Sequence, residues 1–263
     1  MKKEGPRISG VTLASDSRIS WNNQYPRDDC TKIYAATGQP EIAGFVGDVD
    51  LAQQVVSSFL AEALHTGAEF DPYARCGRLA TLLKARRTEL AVSCRDTTIL
   101  YAARSGMGMK RSVFHLWALS WIESDSELHI THIPIDPTEP SAVVTVDGSG
   151  QTSVRHWQHE WCKKTPDRHF TRHFFSAFCD SIFSGDDEFS GGVPQVAVVR
   201  RTKAGQLIGF VNKSGPFLKG RPLETPPAPD LQFVNEDYQF VDEHGNRKGK
   251  PRIRPHEAPT RAL

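Results

Sequence analysis

The sequence predicts an α+β protein, folded as a four-layer α/β/β/α sandwich that contains two antiparallel sheets. Segments rich in β-branched and aromatic residues come in runs joined by short Gly-, Ser-, Asp- and Pro-containing turns, as neighbouring antiparallel strands are. Segments with helical periodicity come in pairs between these runs. Because each sheet must bury one face against the other sheet and one face under helices, helix pairs on both sides complete the sandwich.

The first third of the chain predicts a strand, a hairpin and two helices. The spacing of apolar residues changes to i, i+3, i+4 after Val49, and Asp48 or Asp50 is available as the N-cap of the first helix. Asp71 precedes Pro72, and a cap followed by a proline at the first helical position starts the second helix. The predicted ranges are 8–15 for the strand, 32–36 and 41–46 for the hairpin, and 49 to about 67 and 72 to about 88 for the helices.

The next part of the chain predicts four strands, two helices and a closing hairpin. One helix follows Gly148, and the other follows the Thr-Pro pair at 165–166. In this last helix Phe170, Phe174 and Phe178 align as a row that should face the core. The four strands are expected at 91–102, 112–122, 127–133 and 142–146, and the hairpin at 196–200 and 206–211.

The composition of the chain changes after residue 215, where eight of the seventeen prolines lie. A segment so rich in proline is typical of an extended arm. We therefore expect a folded domain at 1–215 and an extended Pro-rich arm at 216–263. The aromatic patch at 231–241 is expected to pack against other residues, and the basic stretch at 247–254 to be exposed.

Composition also argues against several classes of protein. Lys and Arg total 32 against 31 for Asp and Glu, so the formal charge of +1 gives no global field that would hold nucleic acid or an anionic membrane. No window approaches about 18 apolar residues, and no apolar segment follows the Met-Lys-Lys start, which argues against a membrane span and a secretory signal. The five cysteines include no C-x-x-C pair, so we expect reduced thiols in a cytoplasmic protein.

Two histidine groups invite a metal hypothesis, which the surrounding residues disfavour. His169 and His173 lie one helical turn apart, and such a pair can share a zinc ion. His156, His159 and Cys162 follow helical spacing on the preceding helix. Aromatic neighbours favour histidines that pack between helices, and the sequence contains no Gly-rich phosphate loop or dinucleotide fingerprint. We therefore expect neither a metal nor a cofactor.

Five short motifs follow one another over residues 10–211. They are GVTLASDSR at 10–18, Lys32 within TKIY, GFVGD at 44–48, GSG at 148–150 and DEFSGG at 187–192. The set resembles the pattern of proteasome β subunits and of the bacterial proteasome-like peptidase that works with an unfoldase, both N-terminal nucleophile (Ntn) hydrolases. The resemblance implies the proteasome-like form of the four-layer sandwich.

The resemblance also implies a catalytic role for six residues. In the family an N-terminal threonine hydroxyl attacks a peptide carbonyl, with Lys32 lowering the barrier to the alkoxide and Asp16 keeping that lysine charged. The backbone N–H of Gly47, where the first helix begins, would stabilise the oxyanion. Three residues match those that position the free α-amine, which acts as the general base: Ser149, Asp187 and Ser190.

Each of these residues also has a structural explanation. Asp16 and Lys32 could form an ion pair that joins two strands. Gly47 could serve only the geometry of the turn before the helix. The remaining three, Ser149, Asp187 and Ser190, could be N-caps or turn formers.

The threonine of the family has no counterpart in the sequence. In the family this threonine stands about sixteen positions ahead of the aspartate that Asp16 matches. Counting back from Asp16 places that position immediately before Met1, and residues 1–7 contain no Thr, Ser or Cys. Three explanations are open: a start codon assigned too late, a chain without catalytic activity, or a different nucleophile. The sequence thus predicts a threonine-type peptidase or amidohydrolase acting on peptide bonds, with a non-catalytic scaffold or interaction protein as the alternative.

Partners follow from the same resemblance. A homo-oligomeric ring or stacked ring is expected, because the relatives assemble with their helices between subunits. An ATP-dependent unfoldase is a further candidate, and peptides or proteins would be the substrates of an active enzyme. Binding to nucleic acid or to membranes is not expected.

Overall fold

The computed structural model describes residues 8–20, 25–62, 70–90, 96–108, 110–122, 124, 127–138, 141–164 and 171–248. These residues form four helices and twelve strands. The helices are α1 (Val49–Glu62), α2 (Pro72–Leu90), α3 (Gln151–Lys164) and α4 (Thr171–Phe183). The strands are β1 (Gly10–Ser15), β2 (Ile33–Ala35), β3 (Glu41–Gly47), β4 (Thr97–Ser105), β5 (Val113–Trp121), β6 (Leu128–Ile133), β7 (Gln195–Arg200), β8 (Gln206–Asn212), β9 (Gly215–Leu218), β10 (Arg221–Pro222), β11 (Gln232–Val234) and β12 (Phe240–Val241).

The strands form two sheets. Sheet I has the order β1-β7-β8-β11-β12, with β9 paired to β8 and β10 paired to β9. Sheet II has the order β2-β3-β4-β5-β6. All pairs among the described strands are antiparallel except β8 with β11, which are parallel. Strand β1 lies at an edge of sheet I, and its register with β7 runs from Gly10 opposite Arg200 to Ser15 opposite Gln195.

The two sheets pack face to face, as the side chains of β7 show. They point alternately to the two faces of sheet I, and both faces are buried. Ala197 and Val199 point towards sheet II and pack with Ile42 and Leu116. The intervening Val196 and Val198 contact the helical layer on the other side. All of these side chains are buried, as expected for a strand covered on both faces.

Helices cover the outer face of each sheet. Helices α1 and α2 pack on sheet II, where Phe59 and Leu79 contact Tyr101 within one apolar cluster. Helix α4 packs on sheet I through Phe175 and Cys179. The layers are therefore α1–α2, sheet II, sheet I and α3–α4, which confirms the four-layer α/β/β/α sandwich.

The capping residues identified in the sequence begin α1 and α2. The Oδ1 of Asp48 accepts a hydrogen bond of 3.0 Å from the N–H of Leu51. The Oδ1 of Asp71 accepts one of 2.9 Å from the N–H of Tyr73. Such caps satisfy N–H groups that have no partner within the helix, so they fix where each helix begins.

Two features differ from the sequence-based expectations. Residues 142–146, predicted as a strand, are irregular, with Val143 and Val144 exposed. Residues 215–241 contain four short strands, and β11 extends sheet I beside β8. Within this segment Phe233 is buried and Tyr238 packs on Phe175. The predicted cap at 165–166, Phe170, Cys94 and most of the basic stretch at 247–254 lie outside the described residues.

Candidate functional site

An ion pair joins the two sheets at the end of β1. Asp16 follows the last residue of β1 in sheet I, and Lys32 precedes the first residue of β2 in sheet II. The Nζ of Lys32 lies 2.6 Å from the Oδ1 of Asp16, and the two side chains are only 12% and 14% exposed. The Oδ2 of Asp16 accepts backbone N–H bonds of 3.1 Å from Arg18 and from Gly191. The carboxylate therefore accepts three hydrogen bonds, which fix its position between the two sheets.

A second group of polar side chains meets at the start of α3. The Oδ2 of Asp187 accepts a hydrogen bond of 2.7 Å from the hydroxyl of Ser149 and one of 2.6 Å from the hydroxyl of Ser190. Ser190 directly precedes Gly191, whose N–H contacts Asp16, so the two groups are adjacent along one segment. The structure thus brings together three residues that are 38 and 3 positions apart in the sequence.

Gly47 occupies a position that only glycine can fill. Its φ is +95°, and a Cβ there would collide with the carbonyl oxygen of Asp96. It ends β3, and α1 begins two residues later at Val49. The backbone geometry therefore accounts for this glycine whether or not its N–H binds an oxyanion.

A cavity of about 1100 Å³ connects these groups. Of the six residues singled out in the sequence, Asp187 is hydrogen-bonded to two serines that line the cavity. The other five line the cavity directly: Asp16, Lys32, Gly47, Ser149 and Ser190. This volume is slightly above the roughly 300–1,000 Å³ that is typical of clefts for small ligands.

The cavity follows the unpaired edge of β1. All six residues of Gly10–Ser15 line it, and among the described strands β1 pairs with β7 alone. Leu100 and Leu116 of sheet II contribute to its wall, as do Phe174 and Phe178 of α4. Phe174 and Phe178, predicted to face the core, are partly buried and form part of this wall, and Phe178 also packs against the core beside Phe175. An extended segment beside β1 would find backbone hydrogen-bonding groups at its edge and apolar side chains on both of its faces.

The thiol nearest to the ion pair is poorly suited to act as a nucleophile. Cys30 is buried two residues before Lys32. Burial raises the pKa of the Cys30 thiol to about 11, which exceeds the opposing effect of the nearby Lys32 ammonium. Since the thiolate is the reactive form, this side chain is protonated and unreactive near neutral pH.

Sequence reasoning missed two parts of the site. Residues 142–146 line the cavity as irregular chain, whereas their β-branched composition predicted a strand. Gln195 is 2% exposed at the first position of β7, beside the ion pair. The one signal for it was a long polar side chain at the start of the otherwise apolar run QVAVV.

The described residues also bear on metal and membrane binding. No three His, Cys, Asp or Glu side chains within them approach one another as metal ligands do, and His169 lies outside them. His173 stacks on Trp161 with ring centroids 5.9 Å apart. None of the helices described is both long enough and apolar enough to cross a bilayer.

Two solved structures have a similar fold. Anbu (ancestral beta-subunit) from Yersinia bercovieri has a TM-score of 0.53 and 11% identity, over 77% of this chain and 84% of that chain. The helical assembly of the Anbu complex from Pseudomonas aeruginosa has a TM-score of 0.52 and 14% identity, over 77% of this chain and 83% of that one. The chain matches no protein-family model and no curated protein. At such low identity the likeness extends to the proteasome-like sandwich fold alone.

These findings correct the family resemblance drawn from the motifs. Assignment to the proteasome β subunits or to the bacterial proteasome-like peptidase is wrong, since the similar structures are Anbu proteins and no family model matches. The physical reason is that several of the motif residues meet requirements of the sandwich itself. Gly47 and Gly148 both have positive φ at turns before helices, and Asp187 ties two loops together. Such residues indicate a fold rather than membership of one family.

Proposed function

We propose that this protein hydrolyses amide bonds with a hydroxyl nucleophile that is carried on an extended segment beside β1. The observation that supports this proposal is the convergence of the Lys32–Asp16 pair and the Ser149–Asp187–Ser190 group on the cavity along that edge. A stability role alone does not require these groups to share one cavity. Clustered charged and hydroxyl groups at a cleft are typical of sites that move protons.

The proposed chemistry assigns a task to each group. The Lys32 ammonium, positioned by its ion pair with Asp16, stabilises the alkoxide that forms when the hydroxyl loses its proton. The alkoxide oxygen bonds to the carbonyl carbon of the substrate, and the backbone N–H of Gly47 binds the resulting oxyanion. The C–N bond then breaks, and the amine leaves with the proton that the general base removed from the hydroxyl. Water hydrolyses the remaining ester and releases the acid.

Ser149 and Ser190 would orient that general base. Each donates its hydroxyl proton to Asp187, so the serine oxygens keep lone pairs that can accept N–H bonds from an amine in the cavity. An α-amine suits this role because its ordinary pKa lies near ~8. Threonine-type peptide hydrolysis is the specific form of this proposal.

Self-association is a second part of the proposal. The Anbu complex from Pseudomonas aeruginosa forms a helical assembly, and its subunit has the same fold. We expect this protein to form homo-oligomers, with a mass in light scattering that is a multiple of that of the 263-residue chain. A monomeric mass at micromolar concentration would contradict this expectation. An unfoldase partner stays a prediction.

The proposed activity can be tested on protein purified from its native source. A β-lactone probe acylates an activated hydroxyl, so intact mass should increase by one probe per chain, and peptide mapping identifies the residue. Hydrolysis of a peptide library, followed by mass spectrometry, measures turnover in the same sample.

Two lysine variants test the site itself. We expect Lys32→Met to lower probe labelling and turnover by roughly 100-fold or more, because the charge that stabilises the alkoxide is lost. Lys163→Met is the matched control, since Lys163 is 55% exposed, pairs with Glu160 and does not line the cavity. Undiminished labelling in Lys32→Met would reject the role of Lys32. A native protein with neither labelling nor turnover would instead support a non-catalytic scaffold or interaction protein.

A further inference from the structure

The buried side chain of Gln195 connects the backbones of both members of the ion pair. Its amide nitrogen donates to the carbonyl oxygen of Asp16 at 2.9 Å and to that of Cys30 at 2.7 Å. Its Oε1 accepts the backbone N–H of Lys32 at 3.0 Å. One side chain thus makes three hydrogen bonds, and all three go to the segments that carry the charged groups.

These bonds link elements that belong to different sheets. Asp16 continues from β1 in sheet I, whereas Cys30 and Lys32 lie on the segment that enters β2 in sheet II. Gln195 lies opposite Ser15 in the register of β1 with β7, so its backbone is fixed by sheet I. Its side chain therefore sets how far the segment carrying Lys32 lies from the end of β1.

Water has little access to this side chain. Gln195 is 2% exposed, and Gly220, in the turn between β9 and β10, closes one side of it. A Cβ on Gly220 would lie 3.3 Å from the Nε2 of Gln195 and 3.0 Å from the carbonyl oxygen of Cys30. In such an environment, loss of the amide leaves backbone groups without a hydrogen-bond partner, and the segments must shift to find others.

We propose that Gln195 is a positioning residue that fixes the Asp16–Lys32 geometry and, through it, the reactivity of Lys32. Its effect on catalysis rests on the proposed function, whereas its effect on the ion pair does not. The N–H of Cys30 also donates to the carbonyl oxygen of Ser17 at 3.0 Å, so the two segments stay joined without Gln195. Substitution therefore loosens the ion pair without separating the sheets.

The first test is chemical modification of Lys32 in the variant Gln195→Met, which keeps the length of the side chain and removes all three hydrogen bonds. Sulfo-N-hydroxysuccinimide acetate acylates free amines, and peptide mass spectrometry gives the rate at each lysine. We expect Lys32 to react roughly tenfold faster than in the native protein, as for neighbours within one hydrogen-bond network. The rate at the exposed Lys213 should not change.

Gln206→Met is the matched control, because Gln206 accepts a hydrogen bond of 2.8 Å from Arg200 in sheet I and contacts neither charged residue of the pair. Unchanged Lys32 acylation in Gln195→Met would overturn the proposal. So would an equal acceleration at every lysine, which would indicate general unfolding. If Gln195→Met does not fold, Gln195→Glu serves instead, because it keeps the acceptor for Lys32 and loses both N–H donors.

The second test is kinetic. We expect Gln195→Met to lower kcat by roughly 100-fold and to change KM by less than about threefold, since displacement of a charged group affects the transition state more than substrate binding. If the native protein shows no turnover, the proposed function is rejected, and the acylation test of Gln195 remains valid. If the native protein turns over substrate and Gln195→Met has the same kcat, the positioning role of Gln195 is rejected and the proposed function stands.

Discussion

A buried ion pair between α2 and β3 allows the clearest test of how this sandwich is stabilised. The Nη2 and Nε of Arg75 lie 2.8 and 3.2 Å from the carboxylate oxygens of Glu41, which is fully buried. The Tyr101 hydroxyl donates to the same carboxylate at 2.6 Å. Burial, and next the adjacent Glu41 charge, raise the pKa of Tyr101 well above its ordinary value, so the phenol keeps the proton that it donates. Arg75 also donates to the carbonyl oxygen of Phe59 at 3.0 Å.

Removing the arginine should therefore leave a buried carboxylate without its counter-charge. We expect Arg75→Met to lower the free energy of unfolding by roughly 3–5 kcal/mol, because the methionine fills similar space but supplies no charge. Arg78, on the same helix, contacts Glu62 with a similar two-bond geometry of 2.7 and 3.1 Å. That pair is 49% and 39% exposed, so Arg78→Met should cost no more than about 1 kcal/mol.

Urea denaturation followed by circular dichroism measures both costs. We expect the double variant Arg75→Met/Glu41→Gln to recover part of the lost stability, because the neutral amide removes the uncompensated charge and still accepts the Tyr101 hydrogen bond. Equal costs for Arg75→Met and Arg78→Met would refute the reasoning, since burial is the difference on which it depends. A double variant less stable than Arg75→Met would refute it as well.

Two further predictions concern buried groups. Gly220→Ala should cost at least about 2 kcal/mol in urea denaturation, because φ is +80° and a Cβ would meet a serine side chain at 2.6 Å. Gly215→Ala should lower the free energy of unfolding by less, since Gly215 has φ +118° but open space around it. A larger loss for Gly215→Ala than for Gly220→Ala would contradict this explanation. Burial raises the pKa of the Cys30 and Cys76 thiols to about 11. Because burial favours the neutral thiols, they stabilise the folded state fully below their unfolded-state pKa near 9, and this contribution is lost as pH rises through 11. A free energy of unfolding that is constant from pH 8 to 11 would exclude this contribution.

The layers of the fold were predictable because they depend on periodicity. Helical spacing in α1 reports which face of the helix is buried, and the continuous apolar run of β7 is typical of a strand covered on both faces. Asp48 and Asp71 begin their helices as capping residues do. The expected strand at 142–146 failed for a physical reason. β-Branched residues fit a pleated, half-buried surface, whereas this segment pairs with none of the described strands and exposes Val143 and Val144.

The candidate site was only partly predictable. Short motifs identified Asp16, Lys32 and the serine–aspartate group, because those residues stand at turns with restricted sequence. Gln195 carried no such signal, since its role depends on the approach of a segment more than 160 residues away in the chain. The topology of the fold decides which distant segments become neighbours. A single sequence therefore does not reveal which buried polar side chain will form hydrogen bonds to segments of two sheets.

Among the motif residues, the Lys32–Asp16 pair gives the strongest reason to look for chemistry. Gly47 is required by its backbone, and Ser149 and Ser190 each donate a hydrogen bond to Asp187, so each of the three also has a local structural role. A poorly exposed ion pair contributes little net stability relative to apolar residues of similar volume, because desolvation opposes the attraction between the charges. This pair nevertheless lines a cavity whose walls are largely apolar, next to an edge strand that can accept an extended segment. Under the proposed function, a charge maintained there acts on what enters the cavity, and the acylation and labelling experiments both test Lys32 for that reason.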